Sequence, residues 1–426
     1  MLDIKEIRSN IEGVKAALKK RNKDFELEKV LDLDTKWRQL TTEVEELKSR
    51  QNKASDQIGI LKKEGKDASA ILAEMKTLAE EISGIEHKAK ELEVEIEELL
   101  LWIPNTPADH VPEGADETAN KEVRRWGDIP KFAYTPLAHW EIGTRLGILD
   151  FERAAKVTGA RFVFHKGLGA RLERALINFM LDAHIDNGYT EIFSPIVVNH
   201  DSLKGTGHVP KFVKEEGLFK LEGTNYYLNP TAEVAITNLH RNEILNGAEL
   251  PICYAGYCPS FRAEAGAAGK DTRGIIRQHQ FNKVEMVKFA RPEDSYKELE
   301  SMLNDAERIL QALEIPYRVI TLCGGDLGFS SAMTYDIEVW MPSYDRYVEV
   351  SSCSNFEDFQ ARRANVKFKD NVKDKAQLVH TLNGSGLALP RLFAAILENG
   401  QQQDGSVVIP KALVKYLGVS SIDIKG

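Results

Sequence analysis

Four runs of the chain hold side chains suited to phosphates, amines or metal ions. The first is Cys258-Pro259-Ser260-Phe261-Arg262-Ala263-Glu264, followed by a loop rich in Gly and Ala. That loop contains Gly266, Gly269 and Gly274 and carries Lys270, Arg273 and Arg277, and the run from Ile275 to Val287 follows. Two strands joined in this way form a hairpin whose backbone N–H groups and cations can close over a phosphate chain. Alternation along the returning strand, expected over 275–289, puts Arg277, His279, Phe281, Lys283 and Glu285 on one face. Phe281 and Glu285 then stand about 13 Å apart at roughly 3.3 Å per residue, an aromatic platform for a base at one end and a carboxylate for an amine at the other. A solvated strand face would show the same alternation.

The second run is Asn383-Gly384-Ser385-Gly386-Leu387-Ala388-Leu389-Pro390-Arg391, ahead of an apolar helix over 392–399 that stops at Gly400. Pro390 suits the first helical position and Gly400 the end. Arg391 is then in the first turn, where the helix dipole disfavours a cation by about 0.3–1 kcal/mol, so an anion beside it is the natural compensation. Helix N–H groups with that guanidinium would bind a phosphate or a carboxylate. The third run pairs 335–340 with 346–352. Asp336 and Glu338 share a face of its first strand, while Tyr347, Glu349 and Ser351 share a face of its second. Clustered carboxylates there would hold Mg²⁺ through oxygen ligands, and a solvated acidic hairpin reads the same way. Ser352 has the opposite parity to Glu349, so a site shared by both requires a bend or bulge. In the fourth run, Asn229-Pro230-Thr231-Ala232-Glu233, Thr231 caps an apolar helix through Leu239 and Glu233 is favoured by its dipole.

These groups need a scaffold, and composition limits its kind. A chain of 426 residues has room for two or three domains, and 42% apolar with 28% charged residues is the balance of a globular protein rather than a disordered one. No run approaches 18 apolar residues and no signal-peptide core occupies 1–20, so no membrane contact and a cytoplasmic location are expected. Cys253, Cys258, Cys323 and Cys353 form no CxxC pair and have no His at zinc-finger spacing; they are expected to be reduced. Lys and Arg total 56 against 65 for Asp and Glu, which disfavours a general polyanion-binding surface and leaves room for a local basic patch. No GxxxxGK[ST] loop and no GxGxxG after a strand is present, so P-loop and Rossmann sites are unsupported.

Trp37, Leu40, Val44, Leu47, Gln51, Ala54, Ile58 and Leu61 follow the alternating three- and four-residue steps of a coiled-coil seam. Ile71, Met75, Leu78, Ile82, Ile85, Ala89, Leu92, Ile96 and Leu99 repeat the rule after a polar break centred on Gly65. An antiparallel hairpin of helices roughly 50 Å long is expected. Residues 48–77 hold seven basic and four acidic side chains, and 78–101 hold two and eight. A dimerisation or spacer arm fits the seam; the positive outer half suits a phosphate backbone. Pro104, Pro107, Pro112 and Pro130 mark a linker over 104–130, separating an arm over 1–103 from a domain over 131–426. In that domain a helix over 169–187, with Leu172, Leu176, Phe179, Met180 and Ala183 on one face, leads into a strand over 191–198 broken at Pro195. Strands near 253–262, 275–289, 316–323, 334–341 and 346–352, joined by turns or by a helix over 294–313, imply an antiparallel sheet flanked by helices. The fold class is α+β.

Taken in order, the helical arm, the Thr231-Ala232-Glu233 triplet, the Phe261-Arg262-Ala263-Glu264 strand and loop, the Glu349-Val350-Ser351-Ser352 strand end and the 385–391 segment resemble the bacterial-type seryl-tRNA synthetases, a class II aminoacyl-tRNA synthetase family. The resemblance implies a class II catalytic sheet and a homodimer with the helix over 171–187 and Pro195 at the subunit interface. It implies activation of L-serine by ATP and transfer of the seryl group to tRNA(Ser), with tRNA(Sec) as a further acceptor and the arm binding the tRNA. By position it implies that Arg262 meets the ATP α-phosphate and the serine carboxylate, Glu264 the adenine, Phe281 the face of the base and Arg391 the γ-phosphate. Ala263, Val350 and Ser351 fall among the ATP-binding residues, and Glu349 and Ser352 bind Mg²⁺ or ATP. Serine recognition falls to Thr231, Ala232, Glu233, Glu285, Asn383 and Ser385. Pro390 departs from the small residue that many relatives carry before the final Arg.

Overall fold

Residues 1–215, 217–264 and 273–424 are described by the structure, a computed structural model of the chain. Gly266, Gly269 and Lys270 of the glycine-rich loop lie outside the described residues. The chain divides into a unit of Leu2–Lys19 with Lys23–Ile103, and a unit of Pro104–Gly426 with Met1 and Lys20–Asn22.

In the first unit, α1 (Leu27–Lys63) and α2 (Ser69–Trp102) form the expected hairpin. Val44 and Leu47 of α1 pack on Leu78, Ile82 and Ile85 of α2, and Gly65 turns the chain with a φ of +69°. Helix α1 starts ten residues before Trp37 because Leu27, Val30 and Leu33 prolong its buried stripe, and Asp34 accepts two hydrogen bonds from Arg8 at 2.9 and 2.8 Å.

In the second unit, helices α3 (Leu168–Asp186), α4 (Ala232–Thr237), α5 (Ser295–Ala312) and α6 (Leu389–Gly400) accompany one large sheet. Its strands are β1 (Lys121–Trp126), β2 (Thr190–Glu191), β3 (Ile252–Phe261), β4 (Gln280–Ala290), β5 (Tyr317–Thr321), β6 (Met333–Met341), β7 (Arg346–Asn355) and β8 (His380–Ala388). They run in the order β1-β5-β6-β7-β8-β4-β3-β2. Every neighbouring pair is antiparallel except the short edge pair of β2 and β3. The stretch 104–130, expected to be a linker, is in fact part of this unit. Within it β1 pairs along β5, and Trp126 stacks on Tyr317 with ring centroids 5.8 Å apart. Prolines stop helices but leave the chain extended and able to pair, and β1 is hidden in the sequence because four of its six residues are charged, as suits an edge strand.

Alternation along β4 sorts its side chains to two faces. Val284, Met286 and Ala290 join the main apolar cluster, with Leu172, Leu176 and Met180 of α3, Met302 and Leu303 of α5 and Phe393 of α6. Val287 and Phe289 join a second cluster with Ala232 and Ile236 of α4. Phe281, Lys283 and Glu285 continue that second face beyond the apolar cover, which leaves it to polar groups. Leu176 is fully buried. Leu176→Ala should therefore destabilise the second unit by about 2–5 kcal/mol, read as a lower denaturant midpoint.

Candidate active site

Strands β3 and β4 set Ser260 opposite Phe281 and Phe261 opposite Gln280, and Arg262 follows at the end of β3. Strand β4 begins at Gln280, later than alternation alone suggests. Arg277 therefore reaches the site from the loop, where its Nη1 donates to Glu264 Oε2 at 2.6 Å, and His279 packs beside Phe162 and Phe219. Glu264 takes a φ of +50°, a region few residues with a Cβ adopt, and the ion pair holds it there. The Arg262 guanidinium lies over the Phe281 ring, 5.2 Å from its centroid.

Glu285 lies fully buried at one end of the face and is held from three sides. Thr231 Oγ1 donates to it at 2.9 Å, Asn383 Nδ2 donates at 2.6 Å, and the Lys283 ammonium pairs with it. Thr231 thus serves twice, since its Oγ1 also accepts from the Glu233 N–H to cap α4. Glu233 accepts from Gln360 Nε2 at 2.7 Å. Burial, and then the nearby Glu285 charge, push its carboxyl up to about 7.

At the other end, the register between β6 and β7 slips: Ile337 stands opposite Ser351, and Glu338 opposite Glu349. Val350 is the extra residue of a bulge, the irregularity that Glu349 and Ser352 need in order to face one space. Arg391, in the first turn of α6, donates from Nη1 to the Glu349 carbonyl and pairs with its carboxylate, both at 2.9 Å. Glu349 is therefore the anion that offsets a cation at the helix start. Arg391 holds the Glu349 carboxyl below its ordinary range, while burial, and then the charge of Glu349, push Asp336 well above it. Ser352 Oγ donates to Asp336.

These two ends meet in one cavity of about 260 Å³. Arg262, Glu264, Phe281, Glu349, Ser352, Arg391, Glu233, Asn383 and Ser385 all line it. Other expected site residues stand back from the wall. Glu285 and Thr231 lie behind it, and Ala232 is in the apolar cluster with Ile236. Ala263 directs its N–H to the Gly217 carbonyl, Ser351 donates to the Ser385 carbonyl at 2.6 Å, and Val350 is buried in the main core. The bulge accounts for Val350: the residue that turns its neighbours toward the cavity turns its own side chain away. Sequence reasoning missed Gln278 and Ser354, which also line the cavity, and Gln360 behind Glu233. None has a local signal; Ser354 meets Thr334, and Gln360 meets Glu233 and Thr381, all distant in the chain. Cations, an aromatic face and a carboxylate pocket in one enclosure can hold a polyphosphate, a base and an amine together.

Residues 218–400 match the family described as tRNA synthetase class II core domain (G, H, P, S and T), and residues 1–107 match the seryl-tRNA synthetase N-terminal domain. A serine–tRNA ligase of Carboxydothermus hydrogenoformans is 58% identical over 423 residues, covering 99% of each chain. That of Bacillus subtilis is 58% identical over 420 residues, covering 98% of each. The chain belongs to the seryl-tRNA synthetase family. A crystal structure of the seryl-tRNA synthetase of Pyrococcus horikoshii complexed with ATP superposes with a TM-score of 0.93 at 40% identity, covering the whole of both chains. The N-terminal match covers the helical arm, and the class II core match lies downstream of it. Among the described residues no helix is long and apolar enough to cross a membrane.

Glu233 binds its proton more tightly in the folded state than in the unfolded one. The unfolding free energy should therefore fall as pH rises from about 4.5 to about 7, the interval between its ordinary and its shifted pKa. Glu233→Gln removes this dependence, so urea titrations at stepped pH should show the two proteins diverging across that window; parallel curves would count against a buried, titrating Glu233.

Proposed function

We propose that the chain activates L-serine with ATP, forming seryl-adenylate and pyrophosphate, and then transfers the seryl group to the 3′ end of tRNA(Ser), with tRNA(Sec) as a second acceptor. The observation that carries this reading is that Arg262 and Arg391, far apart in sequence, face one cavity whose other end is the Glu233, Glu285 and Asn383 cluster. Family membership supports it, as does the ATP carried by the Pyrococcus horikoshii relative.

In this reading the serine carboxylate attacks the α-phosphorus of ATP in line. Arg262 holds the α-phosphate and the incoming carboxylate, and Arg391 exchanges Glu349 for the γ-phosphate. Phe281 stacks on the base and Glu264 receives its edge. Val350 and Ser351 act through backbone, since the Val350 side chain is in the core and the Ser351 hydroxyl is held by Ser385, and Ala263 adjoins the site between Arg262 and Glu264. The reaction needs little proton transfer, so positioning and charge neutralisation supply most of the acceleration. Thr231, Ala232, Glu233, Glu285, Asn383 and Ser385 form the serine end. A site that hydrogen-bonds the serine hydroxyl rejects alanine by roughly 10⁴-fold, and Glu285 and Ser385 are the residues we assign to that task.

Mg²⁺ usually binds through one or two carboxylates plus substrate phosphates and water, which fits Glu349 and Ser352. No group of three or more His, Cys, Asp or Glu side chains able to hold a metal occurs among the described residues, which suits an ion arriving with the nucleotide. When bound, such an ion neutralises phosphate charge.

The reading extends to a homodimer formed through α3 and the segment around Pro195. Phe193 is 88% exposed and Ile196 45% exposed in this chain, an apolar patch that a second copy would cover. It includes tRNA binding by the arm, supported by the basic residues near its turn. A cytoplasmic location is supported by the four cysteines, all free.

Arg391→Ala should lower ATP–pyrophosphate exchange at least about tenfold, equivalent to about 1.4 kcal/mol of transition-state binding; exchange at the native rate would remove its phosphate role. Deleting 37–99 should leave exchange intact and abolish charging of tRNA(Ser), whereas normal charging would show that the arm does not hold the tRNA.

A further inference from the structure

Behind the cavity, a buried histidine and a buried glutamate connect two of its walls, and the reaction described above uses neither. His139 opens the helix His139–Arg145, and Glu398 lies on α6 two turns, about 10 Å, beyond Arg391. Both side chains are fully buried. Glu398 Oε1 accepts from His139 twice, from Nδ1 at 2.8 Å and from its backbone N–H at 3.0 Å, while Oε2 accepts from the Ser343 N–H at 2.9 Å. The second ring nitrogen, Nε2, meets the backbone N–H of Ile275 at 3.1 Å. A backbone amide can only donate, so Nε2 carries no proton and Nδ1 carries the one directed at Glu398. The ring is held in one tautomer and one orientation.

Its far side touches the wall of the site. Ile275, Ile276 and Arg277 line the cavity. The preceding Gly274 has a φ of +76°, and a Cβ there would come 2.2 Å from His139 Nε2, so the chain runs flush against the imidazole. One connected path therefore leads from α6, which bears Arg391, through Glu398 and His139 to the backbone of Ile275 and on to Arg277.

We propose that His139 and Glu398 are positioning residues for ATP, fixing the loop that delivers Arg277 relative to the helix that delivers Arg391. This rests on the ATP-dependent function proposed above. An apolar pair of the same volume would satisfy packing at least as well as a buried polar pair, so volume alone does not account for these two residues. What a hydrogen-bonded pair adds is direction, because it sets where the Ile275 backbone sits.

Two substitutions separate the two ends of the imidazole. His139→Asn offers an amide donor near the Nδ1 position but leaves the Ile275 N–H without an acceptor; His139→Gln can present a carbonyl oxygen near the Nε2 position. In the full-length protein, with exchange rates normalised to active sites counted by adenylate burst, His139→Asn should raise the KM for ATP at least about fivefold and leave the KM for serine within about twofold. His139→Gln should recover part of the loss. Glu398→Gln, which turns an amide toward the Ser343 N–H, should shift the ATP constant in the same direction and covers the case in which His139→Asn does not fold. An unchanged KM for ATP, or a fall confined to the number of active sites, would overturn the proposal. Calorimetric ATP binding to the same variants reads it without turnover. If the native protein showed no serine-dependent exchange, the functional reading would fall, while weakened ATP binding in the variants would still uphold the positioning role.

Discussion

Three guanidinium groups face one cavity of about 260 Å³, and the cost of holding like charges together governs how the surrounding strands are arranged. Each cation has a partner. Arg277 pairs with Glu264, Arg391 pairs with Glu349, and Arg262 lies over the Phe281 ring and donates to the Pro230 carbonyl. In the function proposed above, a phosphate chain takes the place of these two carboxylates, which already hold the cations at the cavity wall. The strain at Glu264 and the bulge at Val350 belong to the same solution, since each re-aims a carboxylate toward a guanidinium.

The opposite end of the cavity resolves a different conflict, that of two carboxylates beside each other out of water. Glu285 keeps three partners, including the Lys283 ammonium, whereas Glu233 has the Gln360 amide, and burial pushes its carboxyl up to about 7. Such a pair responds to an arriving ammonium in a way that two fully neutralised carboxylates would not. The sheet makes this possible by dividing its faces: α3, α5 and α6 seal one side with apolar contacts, and the polar set occupies the end of the other side that α4 does not cover.

The parts of the fold that were legible in the sequence have short-range causes. The seam from Val44 to Ile82 follows from the period of a helix, β3, β4, β6 and β7 follow from alternating or β-branched runs, and the start of α6 follows from Pro390. Strand β1 was not legible, because an edge strand is stabilised by a partner distant in the chain and tolerates the charges that disguise it. The site was legible as a set of residue types and less so as geometry. Arg262, Phe281, Glu349, Ser352, Asn383, Ser385 and Arg391 line the cavity, whereas Val350, Ser351 and Ala263 do not and Gln360 enters unannounced.

What the sequence determined by itself was therefore which chemistry the chain carries and in which local elements, since helix period, strand alternation and end caps act over a few residues. Only the tertiary structure decided that Arg262 and Arg391 share a cavity, that the slip at Val350 puts Glu349 and Ser352 on one side, and that His139 connects Glu398 to Ile275. Those relations depend on register between strands and on burial, which come from the packing of distant segments and leave no periodic trace along the chain.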